Sequence, residues 1–336
     1  MPEPAIETHD LTKLFGKFTA VDGLNFDVRE GELFGLLGPN GAGKTTTVRM
    51  LCTLLEPTRG TATIAGYDLV KEAAKVRRQI GVVSDGVMLY KDLSIAENLR
   101  FLSKLYDLSK QESEIRIKEL LDLFDFREKV DRRVGALSSG WTKKALIAAA
   151  LLHRPRILFL DEVTSGLDPQ SATALRDFAR ALCNQGTTII WTTHYMGEPD
   201  KICDRIGIVY GGRMVQMGSP SELKRKVSEL SVVEIETPNI SSDQIERLRS
   251  MGEICNIKYE SPILRISCER DDEFTEKITK ILLSEGVRIR AINTKEPTLE
   301  ETFIQLTGGE DEIDRFLEKA SMKNNLNNKT GENKVT

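Results

Sequence analysis

The segment Leu33-Phe-Gly-Leu-Leu-Gly-Pro-Asn-Gly-Ala-Gly-Lys-Thr45 constrains this chain more than any other. Five apolar residues predict a strand buried on both faces, and the Gly-rich turn after them leads into a helix from Lys44. Further apolar runs follow: IGVV (80–83), ILFL (157–160), TTIIWTT (187–193) and RIGIVY (205–210). Helical patterns separate them, so the expectation is an α/β fold with a mostly parallel sheet covered on both faces. Two helix starts carry their own signals: Ser94 with Glu97 forms a capping box, and Asp168-Pro169 reads as an N-cap followed by Pro at the first helical position.

The stretch 94–153 is helical in pattern and interrupts the alternation, which predicts an inserted helical subdomain at about 86–153 within a first domain of 1–228. After Ser219-Pro-Ser-Glu222 opens a helix, the pattern changes to strand (231–236), helix (241–250), strand (254–259), strand (263–268), helix (271–284) and strand (287–292). This β-α-β-β-α-β order predicts a small α+β domain of ferredoxin-like type over 229–308. A helix capped at Thr298 closes it. Residues 309–336 are polar and are expected to be largely disordered.

Composition narrows the function classes. Against 47 Lys+Arg stand 51 Asp+Glu, which argues against a chain whose task is to coat nucleic acid or an anionic membrane. The longest unbroken apolar run, Ala145–Leu152, is far short of the ~20 residues of a membrane span. MPEPAIETHD has neither a basic start nor an apolar segment, so no signal peptide is expected. Five scattered cysteines read as reduced core thiols of a cytoplasmic protein.

The chemistry-bearing residues lie at the ends of the apolar runs. Gly38, Pro39, Asn40, Gly41, Ala42, Gly43, Lys44, Thr45 and Thr46 fit G-x-x-x-x-G-K-[ST] between a strand and a helix, the context that motif needs. Backbone N–H groups from Gly41 to Thr45 would point into a concavity and cradle phosphate oxygens, and the helix N-terminus would add partial positive charge. Lys44 would reach the β- and γ-phosphates, and the Thr45 hydroxyl would coordinate Mg²⁺. Asp161, ending ILFLD, is placed to hold Mg²⁺, and Glu162 to polarise an attacking water. His194, ending TIIWTTH, would meet the γ-phosphate or that water. LSSGW (137–141), read alone, is only an N-cap, Ser138 or Ser139, before an Ala-rich helix.

Taken together, the motifs over residues 5–225 resemble the ATP-binding-cassette (ABC) ATPases. GPNGAGKT resembles the Walker A loop and ILFLDE the Walker B strand. LSSGW resembles the signature, SGLD (165–168) the D-loop and TTHYM (192–196) the switch-histidine segment. The text from Thr192 to Lys224, with EPTLEETFIQLTG later, is similar to the ATP-binding subunits of drug-resistance and sodium-export transporters. The resemblance implies a P-loop ATPase core that binds ATP and Mg²⁺ and works as a head-to-tail homodimer. Ser138 and Gly140 of one copy would then meet the γ-phosphate held by the other. It also implies a separate membrane permease and a place on the cytoplasmic face of the membrane. Phe15 occupies the place of the family's adenine-stacking aromatic; a hairpin core residue is an equal reading. The stretch 85–105 corresponds to the groove for a permease helix, with Met88, Leu89 and Tyr90 as apolar contacts or as ordinary packing.

Four positions depart from the family pattern. Asp85 stands where Gln is usual, Ser139 where Gly is usual, Trp141 where Gln is usual and Val163 where Pro is common. Asp85 either ligates Mg²⁺ or turns to solvent. With Lys44, Asp161, Glu162 and His194 all present, an active transporter ATPase, most simply an exporter, is expected. The alternative is a soluble ABC ATPase acting on nucleic acid or ribosomes, but such proteins usually carry two cassettes or a long coiled coil, and this chain has neither.

Overall fold

The computed structural model describes residues 3–84, 88–126, 129–227, 230–249, 254–269, 274–295 and 298–307. Backbone contacts divide them into two units, meeting at Ser219/Pro220. In chain order the first unit comprises β1 (Ile6–Phe15), β2 (Phe18–Leu24), β3 (Asp27–Val28), β4 (Leu33–Leu37), α1 (Lys44–Leu51), β5 (Arg59–Ile64), β6 (Tyr67–Asp68), α2 (Ala73–Gln79) and β7 (Ile80–Val83). It continues through α3 (Ile95–Leu105), α4 (Lys110–Leu123), α5 (Ser139–Ala150), β8 (Ile157–Asp161), α6 (Pro169–Asn184), β9 (Thr188–Thr193), α7 (Pro199–Ile202), β10 (Arg205–Tyr210) and β11 (Arg213–Gly218).

One sheet runs β11-β10-β4-β9-β8-β7, parallel from β10 to β7 and closed by the antiparallel β11. All residues of β4, β8 and β9 are buried, as continuous apolar runs under helices on both faces require. The register sets Leu37 beside Thr193 and Asp161 beside Thr192. The loops after β4, β8 and β9 therefore leave from one edge of the sheet, where open α/β sheets bind ligands.

A second sheet, β2-β1-β5-β6 with β3 on β1, is antiparallel. The sequence reading did not separate it from the parallel sheet. Its strands mix charged and apolar residues, as in IETHDLTKLF, and only one side packs: Ile6, Leu11, Val21 and Ile64 join Phe34, Phe159 and Met50 in one core.

Between β7 and β8 come the three helices α3, α4 and α5. Ser94 and Glu97 complete the capping box, and Ser109 with Glu112 forms a second one. Arg116 ties α4 to the end of α5 by donating to the Leu151 carbonyl at 2.7 Å. α5 approaches β7 so closely that a Cβ on Gly81 would lie 2.4 Å from the Ala150 carbonyl oxygen. Gly81→Ala should therefore force two backbones apart. Overpacking of this kind costs about 1–3 kcal/mol, and a lowered thermal midpoint in calorimetry would register it.

The second unit comprises α8 (Pro220–Val227), β12 (Leu230–Glu236), α9 (Ser242–Arg249), β13 (Ile254–Glu260), β14 (Ile263–Glu269), α10 (Phe274–Ser284), β15 (Ala291–Lys295) and α11 (Leu299–Thr307). Its antiparallel sheet has the order β13-β14-β12-β15, and Val233, Ile235, Leu264 and Ile266 pack on Leu248, Phe274, Ile278 and Leu282. Two boundaries differ from the sequence reading. α8 packs on α11 and so groups with the second unit, ahead of the expected boundary at 228. The last strand starts at Ala291, not Val287, because the backbone N–H of Val287 donates to Leu282 and closes α10. Residues 309–336 lie outside the described residues.

Candidate functional site

The loop after β4 folds as its glycines permit. Gly43 sits at φ 107°, where an L side chain is strained, and a Cβ there would meet the Ala20 carbonyl oxygen at 2.6 Å. α1 thus begins hard against β2, with its first amides at the loop. Lys44 is buried. Its ammonium donates to the carbonyls of Gly38 (2.8 Å) and Pro39 (3.1 Å) and lies 3.3 Å from Glu162 Oε1. Burial pushes its pKa below the ordinary lysine value, opposed by the Glu162 charge.

Asp161 is buried at the end of β8 and accepts hydrogen bonds on Oδ1 from Thr45 Oγ1 (3.3 Å) and from Thr192 Oγ1. Burial raises its pKa, and the two hydroxyls oppose the shift. Two oxygen donors, one a desolvated carboxylate, suit a hard dication that takes its other ligands from phosphate and water. Among the described residues no cluster of three or more His, Cys, Asp or Glu side chains could cage a metal.

Glu162 has φ 48°, the left-handed region. Its N–H donates to Thr192 Oγ1 (3.1 Å) and lies 3.2 Å from the Thr192 carbonyl. Those bonds hold the carboxylate between Lys44 and His194, whose Nδ1 is 3.3 Å from Glu162 Oε2. Lys44, Thr45, Asp161, Glu162 and His194 are thus brought together at one sheet edge. Thr192 was missed from sequence, where a threonine in an apolar strand reads as β-propensity.

Ser138 and Gly140 belong to another neighbourhood. Ser138 holds the N-cap position of α5 in extended conformation, but its side chain makes no capping bond. Together with Trp141, Lys143, Leu167 and Ser171 they line a depression of about 140 Å³. Trp141 leans on Phe126 (5.7 Å between centroids), with the ammonium groups of Lys129 and Lys144 at 4.1 and 4.6 Å from its ring. Phe15 is half exposed at the tip of the β1–β2 hairpin opposite Phe18, not in its core. Met88 and Tyr90 are exposed and Leu89 is buried. Asp85 lies outside the described residues.

The ABC transporter family pattern matches residues 21–165, and the C-terminal domain of DrrA1-3-like ATP-binding proteins matches 218–307. A linearmycin resistance ATP-binding protein of Bacillus subtilis is 34% identical over 307 residues, covering 90% of this chain and 98% of the relative. The chain belongs to the ABC transporter ATPases. This ABC ATPase is also 37% identical over 322 residues to the daunorubicin/doxorubicin resistance ATP-binding protein of Streptomyces peucetius, covering 95% of the chain and 97% of that protein. A dimeric ATP-binding cassette in a post-hydrolysis state, bound to ADP and Pi, superposes with a TM-score of 0.58 at 25% identity, over 64% of this chain and 98% of that one. The α/β P-loop fold, ATP binding and ATP hydrolysis that power a transporter follow from this membership. Among the described residues no helix is long and apolar enough to cross a membrane.

Proposed function

We propose that this ABC ATPase drives export through a separate permease by closing head-to-tail on a second copy around two Mg·ATP. The convergence of Lys44, Thr45, Asp161, Glu162 and His194 at one sheet edge carries the reading. In it, the amides of Gly41 to Thr46 and the Lys44 ammonium bind the β- and γ-phosphates. Phe15, half exposed, stacks on adenine. Thr45 Oγ1 and Asp161 would hold Mg²⁺, which would supply charge neutralisation on the phosphates. Glu162 accepts the proton of the attacking water, and His194 contacts the γ-phosphate and steadies the Glu162 carboxylate. Ser138 and Gly140, at the free start of α5, meet the γ-phosphate held by the partner copy.

Hydrolysis removes the bridging γ-phosphate, so the pair reopens; the differential contact is what couples ATP to movement. The exposed Met88 and Tyr90 contact the permease, which holds the chain at the cytoplasmic face of the membrane. Outward transport rests on the resistance roles in the relatives' names, and the permease selects the cargo. The second unit, with no catalytic cluster among its described residues, regulates or stabilises the dimer. Affinity-tagged chain extracted in mild detergent from its native membranes should bring down a polytopic membrane protein in stoichiometric amount, and that protein should raise its Mg²⁺-dependent ATPase rate. Recovery with ribosomes or nucleic acid instead would overturn the transporter reading.

A further inference from the structure

The loops that carry Glu162 and His194 are joined by a group outside the nucleotide site. Glu198 lies just before α7 and is buried, its side chain 8% exposed. A carboxylate is tolerated there only if its oxygens are satisfied. Oε2 accepts from Thr193 Oγ1 (2.8 Å) and from Thr164 Oγ1 (3.1 Å), and Oε1 accepts from Arg176 Nη1 on α6 (3.2 Å). Thr193 Oγ1 in turn accepts the backbone N–H of Tyr195 at 3.0 Å. His194 is the residue between those two. Thr164 belongs to the turn that begins at Glu162, where the Ser165 N–H donates to the Glu162 carbonyl at 3.1 Å.

The direction of each bond follows. The Tyr195 amide can only donate, so Thr193 Oγ1 receives that proton and directs its own to Glu198. Arg176 can only donate as well. Three donors thus converge on one side chain, and a carboxylate is the side chain that accepts all three. An amide of the same shape must turn an N–H₂ towards at least one donor.

We propose that Glu198 is a positioning residue for the hydrolytic step, clamping the turn after Glu162 and the segment around His194 into one unit. This rests on the reading that Glu162 and His194 serve hydrolysis. The clamp fixes the Glu162–His194 approach at 3.3 Å, and the residues it joins, Thr164, Arg176 and Thr193, lie outside the phosphate loop. Its loss should therefore lower turnover and leave ATP affinity almost unchanged, because Lys44 and the phosphate loop are held independently. Misplacement of reacting groups by about 1 Å costs up to roughly 10²-fold in rate.

The test compares Glu198→Gln, Thr193→Val and Thr193→Ser with wild type in the full-length chain. The readouts are kcat and KM for ATP, the stoichiometry of binding of a non-hydrolysable ATP analogue, and the thermal midpoint. Glu198→Gln and Thr193→Val are expected to lower kcat about 10–100-fold, with KM within about twofold and binding stoichiometry unchanged. Thr193→Ser, which keeps the hydroxyl, should recover most of the loss seen in Thr193→Val. The proposal is overturned if both shape-preserving variants keep wild-type kcat, if Ser and Val at 193 fall equally, or if the loss merely tracks reduced binding stoichiometry. Should Glu198→Gln fail to fold, the Val/Ser pair at 193 decides alone. Parallel assays of Glu162→Gln and His194→Ala separate the two ideas: wild-type turnover in those variants would sink the site reading itself.

Discussion

Glu162→Gln should bind ATP as the wild type does, hydrolyse it about 10²–10⁴ times more slowly, and accumulate as an ATP-bound dimer. The substitution keeps side-chain length. The amide can still face Lys44 and His194, each 3.3 Å from the carboxylate in the wild type. It cannot take a proton from water. Phosphate binding should stay intact, because the proposed contacts, Lys44 and the amides at the start of α1 placed by Gly43, are untouched. The γ-phosphate then persists, and with it the bridge between copies. Single-turnover hydrolysis and light scattering with and without ATP measure both halves of the expectation. A protein that stays monomeric with ATP and turns over at the wild-type rate would refute the role of Glu162 and the closure scheme together.

Lys44→Ala should weaken ATP binding by about two orders of magnitude or more. Truncating one partner of a buried charged contact costs roughly 2–5 kcal/mol, and 1.4 kcal/mol is tenfold in affinity. Three groups lose their cation: the carbonyls of Gly38 and Pro39, and Glu162. The effect on folding should be far smaller. Burial disfavours the charged ammonium, as the lowered pKa of Lys44 records, so its removal relieves a desolvation cost at the same time as it breaks hydrogen bonds. Titration calorimetry with ATP beside a thermal melt distinguishes the two. A large fall in melting temperature with unchanged affinity would assign Lys44 to structure.

These residues were legible because each signal is contiguous. An apolar strand, a Gly-rich turn and a helix start place Lys44 and Thr45 within one short segment, and ILFLDE and TIIWTTH each end a strand on a reactive group. The register that sets Asp161 beside Thr192 then follows from parallel pairing. Thr164, Thr192 and Glu198 were not legible, because a hydroxyl or carboxylate becomes a partner only when separate loops meet. The antiparallel sheet was missed for a related reason: strands buried on one side only, with register shifts such as that between Leu11 and Lys13, carry a weak periodic signal. The division at Ser219/Pro220 differs from the boundary expected at 228 because PSELK reads as a closing helix, and its attachment to α11 is non-local.

The backbone of Glu162, at φ 48°, also shapes which mutations this position tolerates. A non-glycine residue in that region costs on the order of 1–3 kcal/mol; Gly and Asn adopt it most readily, and Val, Ile and Thr least. In a saturation library at 162, Asn should therefore be better tolerated in the fold than Val, Ile or Thr, although every neutral side chain there also leaves the buried Lys44 ammonium without its carboxylate. A screen for heat-stable protein would therefore read backbone strain and the Lys44 pairing at this codon rather than turnover.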